Sequence, residues 1–191
     1  MDIASSEART ADYTVIGTGA TDWRNNLLVL EIWKRKGSNP VERMIEATRQ
    51  VLHYQSRILG MEENRAEDFI AMYEYMLKRG EFIEEFGEVS RSIPNRIQRI
   101  PHYGLQSKRD RIVDRLQPVV NSHSLWLCKP LSWFADNIDI YPQVEYDDDI
   151  DMLEMLRYIA VPPSQDLNIS GYEEESSSSV LEYNPITMCW N

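Results

Sequence analysis

Cysteine, histidine and long apolar runs are all scarce in this sequence, and each shortage removes a class of protein. The two cysteines, Cys128 and Cys189, lie far apart, one in an expected core strand and one in a polar tail. That usage suits a reducing compartment and does not frame a disulfide scaffold. The three histidines, His53, His102 and His123, are scattered without the spacing of metal ligands and receive no role. No apolar run approaches the roughly 18 residues of a membrane span, and the opening Met1-Asp2-Ile3 begins no basic-then-apolar leader. The expectation is therefore a soluble, unexported chain with no membrane partner. Gly17-x-Gly19 lacks the further glycine and lysine that would cradle a nucleotide's phosphates, and no Ser/His/Asp arrangement is supported.

What remains is a chain of 191 residues, 42% hydrophobic, long enough to bury one core. Its net charge of −11 argues at first against a nucleic-acid partner, because phosphate binding needs clustered Lys and Arg. The charge is unevenly placed, however. Arg91 to Arg115 holds seven basic residues against two acids, whereas Asp136 to Glu154 holds eight acids and no base. The first stretch suits phosphate and the second suits metal cations.

Along the chain, β-rich runs at Tyr13–Ala20 and Leu27–Lys34 suggest a hairpin, followed by a helix that Asn39-Pro40 would cap and open. Val41, Met44, Ile45, Val51 and Leu52 share a face of that helix. Arg57–Glu62 is a short apolar run ending in acid, which reads as a buried strand. A second helix is expected from about Ala66 to Arg79, then a strand near Ile97–Ile100 and a helix over roughly Lys108–Val120 with Ile112, Val113 and Leu116 inward and its basic residues largely outward. Ser124–Cys128 reads as a strand, Leu131–Ile138 as a short helix and Asp149–Ile159 as a final helix. A hairpin followed by alternating helices and strands predicts an α/β fold with a sheet of mixed direction. Residues 1–163 are assigned to this domain, and 164–191, acidic and serine-rich, to a disordered tail.

Several acids fall at element ends: Asp2 near the chain start, Glu62 at the end of an apolar strand, and Asp147 and Asp148 entering the last helix. Carboxylates gathered this way repel one another unless a divalent ion neutralises them, and hard oxygen donors favour Mg²⁺ or Mn²⁺. Two such ions can clamp a scissile phosphate. The plain alternatives are acids attracted to a helix N-terminus at Asp147–Asp151, and a solvated strand-to-loop junction at Glu62-Glu63.

The order of these pieces resembles the C-terminal, RNase H-like nuclease domain of the large terminase subunit of tailed bacteriophages, from Asp2 to about Tyr158. Asp2-Ile3-Ala4-Ser5 with Ala11-Asp12-Tyr13-Thr14-Val15-Ile16 is similar to the family's first strand, polar loop and second strand, and Leu27 to Ile32 to its third. Ile58-Leu59-Gly60-Met61-Glu62 resembles the strand ending in the second metal ligand, with Glu67 five residues on. Lys108-x-x-Arg111-Ile112 with Leu116-x-Pro118 resembles a basic helix near the DNA path. Tyr141-Pro142 leads into Asp147-Asp148-x-x-Asp151-x-Leu153, similar to a closing Asp-Asp-x-x-Asp-Ala-Leu motif in which Met152 replaces alanine.

The resemblance implies an RNase H-like mixed sheet, an antiparallel hairpin and then parallel strands, flanked by helices. It implies a two-metal endonuclease, with Mg²⁺ or Mn²⁺, that cleaves viral double-stranded DNA during genome packaging in the host cytoplasm. Asp2, Glu62 and Asp148 would be the catalytic metal ligands, with Asp147 and Asp151 in support and Asp12 peripheral. Lys108, Arg109, Arg111 and Arg115 would steer DNA. The implied partners are an upstream ATPase motor domain, the small terminase subunit and the portal. Because Asp2 is the second residue, the first strand is expected to be truncated. The rival expectations are another RNase H-like nuclease, such as a resolvase, and an inactive DNA-binding or motor-assembly remnant.

Overall fold

A computed structural model describes residues 13–101 and 106–163, together with two short strands at 183–184 and 189–190. Asp2 and Asp12 lie outside the described residues, as does most of the segment assigned to the tail. Within that segment Tyr183–Asn184 pairs antiparallel with Cys189–Trp190 (strands β6 and β7), where no regular element was expected.

The hairpin forms where β-branched and apolar residues flank a polar turn. Strand β1 (Tyr13–Thr21) runs antiparallel to β2 (Leu27–Lys36), and the Asp22 carboxylate closes the turn by accepting from the amides of Arg24 and Asn26. The register shifts between Thr18, opposite Glu31, and Gly19, opposite Val29. A bulge reverses the side-chain parity of a strand. Accordingly Leu27, Val29 and Ile32 all serve one core cluster, while Trp33 packs against another.

Strand β5 (Leu125–Leu127) joins β2 in parallel, giving a sheet ordered β1-β2-β5, and β3 (Leu59–Glu62) pairs in parallel with β4 (Ile97–Ile100). The chain is thus the mixed α/β fold expected, with antiparallel and parallel strands flanked by helices.

Helix α1 (Pro40–His53) carries a complete capping box: Asn39 accepts from the Glu42 amide, and the Glu42 carboxylate accepts from the Asn39 amide. Val41, assigned to its inward face, is exposed instead. Helix α2 (Glu63–Arg79) starts three residues earlier than expected, because the backbone passes from strand to helix at Glu62 without a loop. It ends at Gly80, whose φ of 81° is the left-handed conformation usual after a helix C-terminus. A short helix α3 (Ile83–Phe86) and a 3₁₀ stretch (Glu88–Arg96) precede β4. Helices α4 (Lys108–Asn121), α5 (Ser132–Ile140) and α6 (Asp148–Ile159) complete the set, α4 being capped by Ser107. Among the described residues no helix is long and apolar enough to cross a membrane.

Two cores result. Ile16, Met44, Ala47, Val51, Met61, Ile70 and Tyr73 join β1 and β3 to α1 and α2. Leu27, Val29, Ile112, Leu116, Ile150 and Leu153 join β2 to α4 and α6.

Helix α6 lies along β1 in the same direction. Asp148 meets Tyr13, Met152 lies against Gly17 and Leu156 against Gly19, and Thr21 donates to the carbonyl of Val161 beyond the helix end. The approach is close enough to require glycine. A Cβ on Gly19 would stand 2.7 Å from both the Leu28 carbonyl oxygen and Leu156 Cδ2. A backbone oxygen in a paired strand cannot retreat, so Gly19→Ala should lower stability by about 1–3 kcal/mol, the usual cost of overpacking. Denaturant unfolding checks this, and an unchanged midpoint would mean that α6 is not pressed on β1.

Candidate functional site

The site centres on the N-terminus of α6. All eight residues from Asp148 to Met155 are buried, including four acids. Buried carboxylates need partners, and most of these partners lie on α4. Lys108 reaches Asp147 at 3.0 Å and Asp151 at 3.1 Å, and Arg111 reaches Asp151 at 2.5 Å and Glu154 at 3.4 Å. Arg115 pairs with Glu154 as well. The partners ascend together along both helices, so α4 and α6 run side by side in the same direction.

This ladder corrects one expectation. The basic residues of α4 do not all face solvent: Lys108, Arg111 and Arg115 turn towards α6, and of the four assigned to DNA only Arg109 has no carboxylate within 4 Å among the described residues. The physical reason is charge matching. A stripe of cations at intervals of three and four residues meets a stripe of acids at intervals of four and three, both being the spacing of a single helix face. Burial opposes the charge of Lys108, but Asp151 and Asp147 outweigh it and push its pKa up to about 12. Lys108 therefore stays charged throughout the neutral range.

Asp149 is fully buried and held by Lys34 and Asn137, each at 2.9 Å. It was not singled out from the sequence; its partner on β2 is 115 residues away and leaves no local signal. Asp148, 8% exposed, is turned differently, its Oδ2 accepting from the Tyr13 amide at 3.3 Å. Glu62, also 8% exposed, ends β3 and stands at the N-cap of α2 without a side-chain capping bond. Helix α6 packs against both β1 and β3, and it meets β3 where Ile159, eleven residues beyond Asp148, lies against Gly60. Asp2 lies outside the described residues. Glu67, exposed, faces Arg99 at 3.9 Å.

Glu62 and Asp148 are both buried carboxylates, the oxygen-donor type that suits Mg²⁺ or Mn²⁺. Asp147 and Asp151, expected to support the metals, are engaged by Lys108. Among the described residues no group of three Asp, Glu, His or Cys side chains stands together as a metal site. A separate cavity of about 680 Å³ opens between β1 and β3, lined by Gly17 to Thr21, Leu59, Met155, Leu156, Ile159 and neighbouring residues, and its lining contains neither Glu62 nor Asp148.

No family model matches this chain, and no match was found among curated proteins or solved structures.

Proposed function

We propose that the chain is a metal-dependent DNA endonuclease of the RNase H-like type, the nuclease part of a phage DNA-packaging terminase. The observation that supports the reading is that Glu62, ending a core strand, and Asp148, opening helix α6, are both buried carboxylates. Their order along the chain is the order the resemblance requires, with Asp2 as the third donor. Two divalent ions held there would activate a water for in-line attack on a phosphodiester and stabilise the leaving oxygen. In this reading Lys108 and Arg111 act first on protein: they compensate Asp147, Asp151 and Glu154, so that the N-terminus of α6 keeps its place although it is densely acidic. The substrate is viral double-stranded DNA in the host cytoplasm, and the partners are an ATPase motor domain, the small terminase and the portal.

The ion-pair ladder favours a second reading. Acids already matched by α4 are what a purely structural helix pair needs, and a remnant that binds DNA or the motor without cutting would keep them. Incubating supercoiled plasmid with the purified chain and Mn²⁺, Mg²⁺ or chelator separates the two. Nicking that requires the metal is expected for the nuclease; intact plasmid beside a folded chain supports the remnant.

A further inference from the structure

We infer that Lys36, Tyr13 and Tyr146 form a second contact site beside Asp148, one that holds the sugar–phosphate backbone of duplex DNA. The inference rests on the nuclease reading of the Asp148 site and adds a backbone contact to Arg109, the one cation assigned to DNA on α4 that has no carboxylate within 4 Å among the described residues.

The argument begins with available charge. A phosphate approaching the N-terminus of α6 needs cations, yet Lys108, Arg111 and Arg115 have carboxylate partners there, and Lys34 is paired with Asp149. A cation already matched by a carboxylate gains little from a phosphate, because it must first give up its partner. Lys36 differs. It forms no ion pair within 4 Å among the described residues, although Glu145 acts on it from a greater distance. Its ammonium group stands 4.6 Å from the Tyr13 ring centre and 4.0 Å from that of Tyr146.

The two rings meet edge to face, 5.2 Å between centres. The pKa of Lys36 is raised, Tyr146 being the leading cause, so the lysine stays charged. Aromatic faces hold a cation without cancelling its charge, so Lys36 is fixed in position and still attracts anions. A fixed cation beside a phenolic hydroxyl matches the groups that proteins use to position DNA, where Lys and Tyr side chains both reach phosphate oxygens.

The location is equally specific. Tyr13 donates its amide to Asp148, and Tyr146 precedes Asp148 by two residues, so the patch is continuous with that carboxylate. DNA held by Lys36 would lie across the proposed metal site. Lys34 also stands 4.6 Å from the Tyr13 ring centre, but its ion pair with Asp149 assigns it to the scaffold.

The test is fluorescence anisotropy of a labelled DNA duplex titrated with the full chain in chelator and low salt, so that binding is read without cleavage. Lys36→Ala should weaken binding about 5-fold or more and lower the slope of log affinity against log salt by about one, the signature of one lost phosphate contact. Lys36→Arg should restore most of the affinity. Lys78→Ala, which removes a cation near the C-terminal end of α2 paired with Glu74, should change it less than about 2-fold. Equal affinity and slope for Lys36→Ala and the unmodified chain would overturn the inference, as would an equal loss for Lys78→Ala. The plasmid assay keeps the two readings apart. Metal-dependent nicking with binding insensitive to Lys36 removes this contact site and leaves the nuclease. Binding that depends on Lys36 without nicking under any metal leaves the contact site and removes the nuclease.

Discussion

Asp148→Ala should reduce metal-dependent plasmid cleavage by at least about 100-fold while leaving the chain folded. The size follows from the shell in which the residue stands. Loss of a group that only orients a metal ligand typically costs 10- to 100-fold, so loss of the ligand itself costs no less. The fold should survive for a physical reason as well. The packing of α6 on β2 and α4 is made by Ile150 and Leu153, which the substitution leaves in place. Retained far-UV circular dichroism with lost cleavage is the expected result. Asp148→Ala that cuts as well as the unmodified chain would remove the residue from the site. Glu62→Gln should behave similarly, because the amide keeps the volume and loses the charge that a divalent ion requires.

Glu154→Ala should act on stability instead, lowering it by about 3–5 kcal/mol, the range found when one partner of a buried ion pair is removed. Glu154 is fully buried and faces both Arg111 and Arg115. Truncating it leaves two guanidinium groups, each less than a third exposed, beside an emptied pocket. Replacing Glu154 and Arg115 together by Leu and Met, which leaves Arg111 paired with Asp151, should recover much of the loss, since a well-packed apolar pair often equals a buried ion pair. Urea unfolding of the single and double variants tests this. A double variant less stable than Glu154→Ala would show that the pair contributes more than mutual compensation.

These predictions rest on features that were unequally legible in the sequence. Periodicity placed α4 to within a residue, and Ile112 and Leu116 are buried as expected, whereas Val113 is only half-buried and Val119 completes the inward face. Asn39-Pro40 gave the start of α1, because capping is local chemistry that needs no distant partner. Residues whose environment comes from elsewhere in the chain were read less well. Val41 has the right spacing for the core and lies in the first turn of α1, beyond the packed surface. Lys108, Arg111 and Arg115 read as a solvated or DNA-facing stripe until α6, some forty residues later, supplied a matching set of acids. Comparing the spacing of the two charged stripes would have revealed the pairing. The burial of Asp149 against Lys34 left no such trace, because a strand and a helix 115 residues apart share no periodicity.

The bulge at Thr18/Gly19 was equally hidden, and it matters for the site. It lets β2 present Leu27 and Val29 on one side of the irregularity and Ile32 on the other to the same core, while Gly17 and Gly19 admit Met152 and Leu156 of α6. The placement of Asp148 beside Tyr13 follows from that close fit, which places the N-terminus of α6 at the start of β1.

Manganese binding followed by electron paramagnetic resonance is the most direct test that Glu62 and Asp148 hold divalent ions. The account predicts that the unmodified chain binds Mn²⁺ and that Glu62→Gln with Asp148→Asn, folded by circular dichroism, no longer does. Equal Mn²⁺ binding by the two proteins, or none by either, would contradict it.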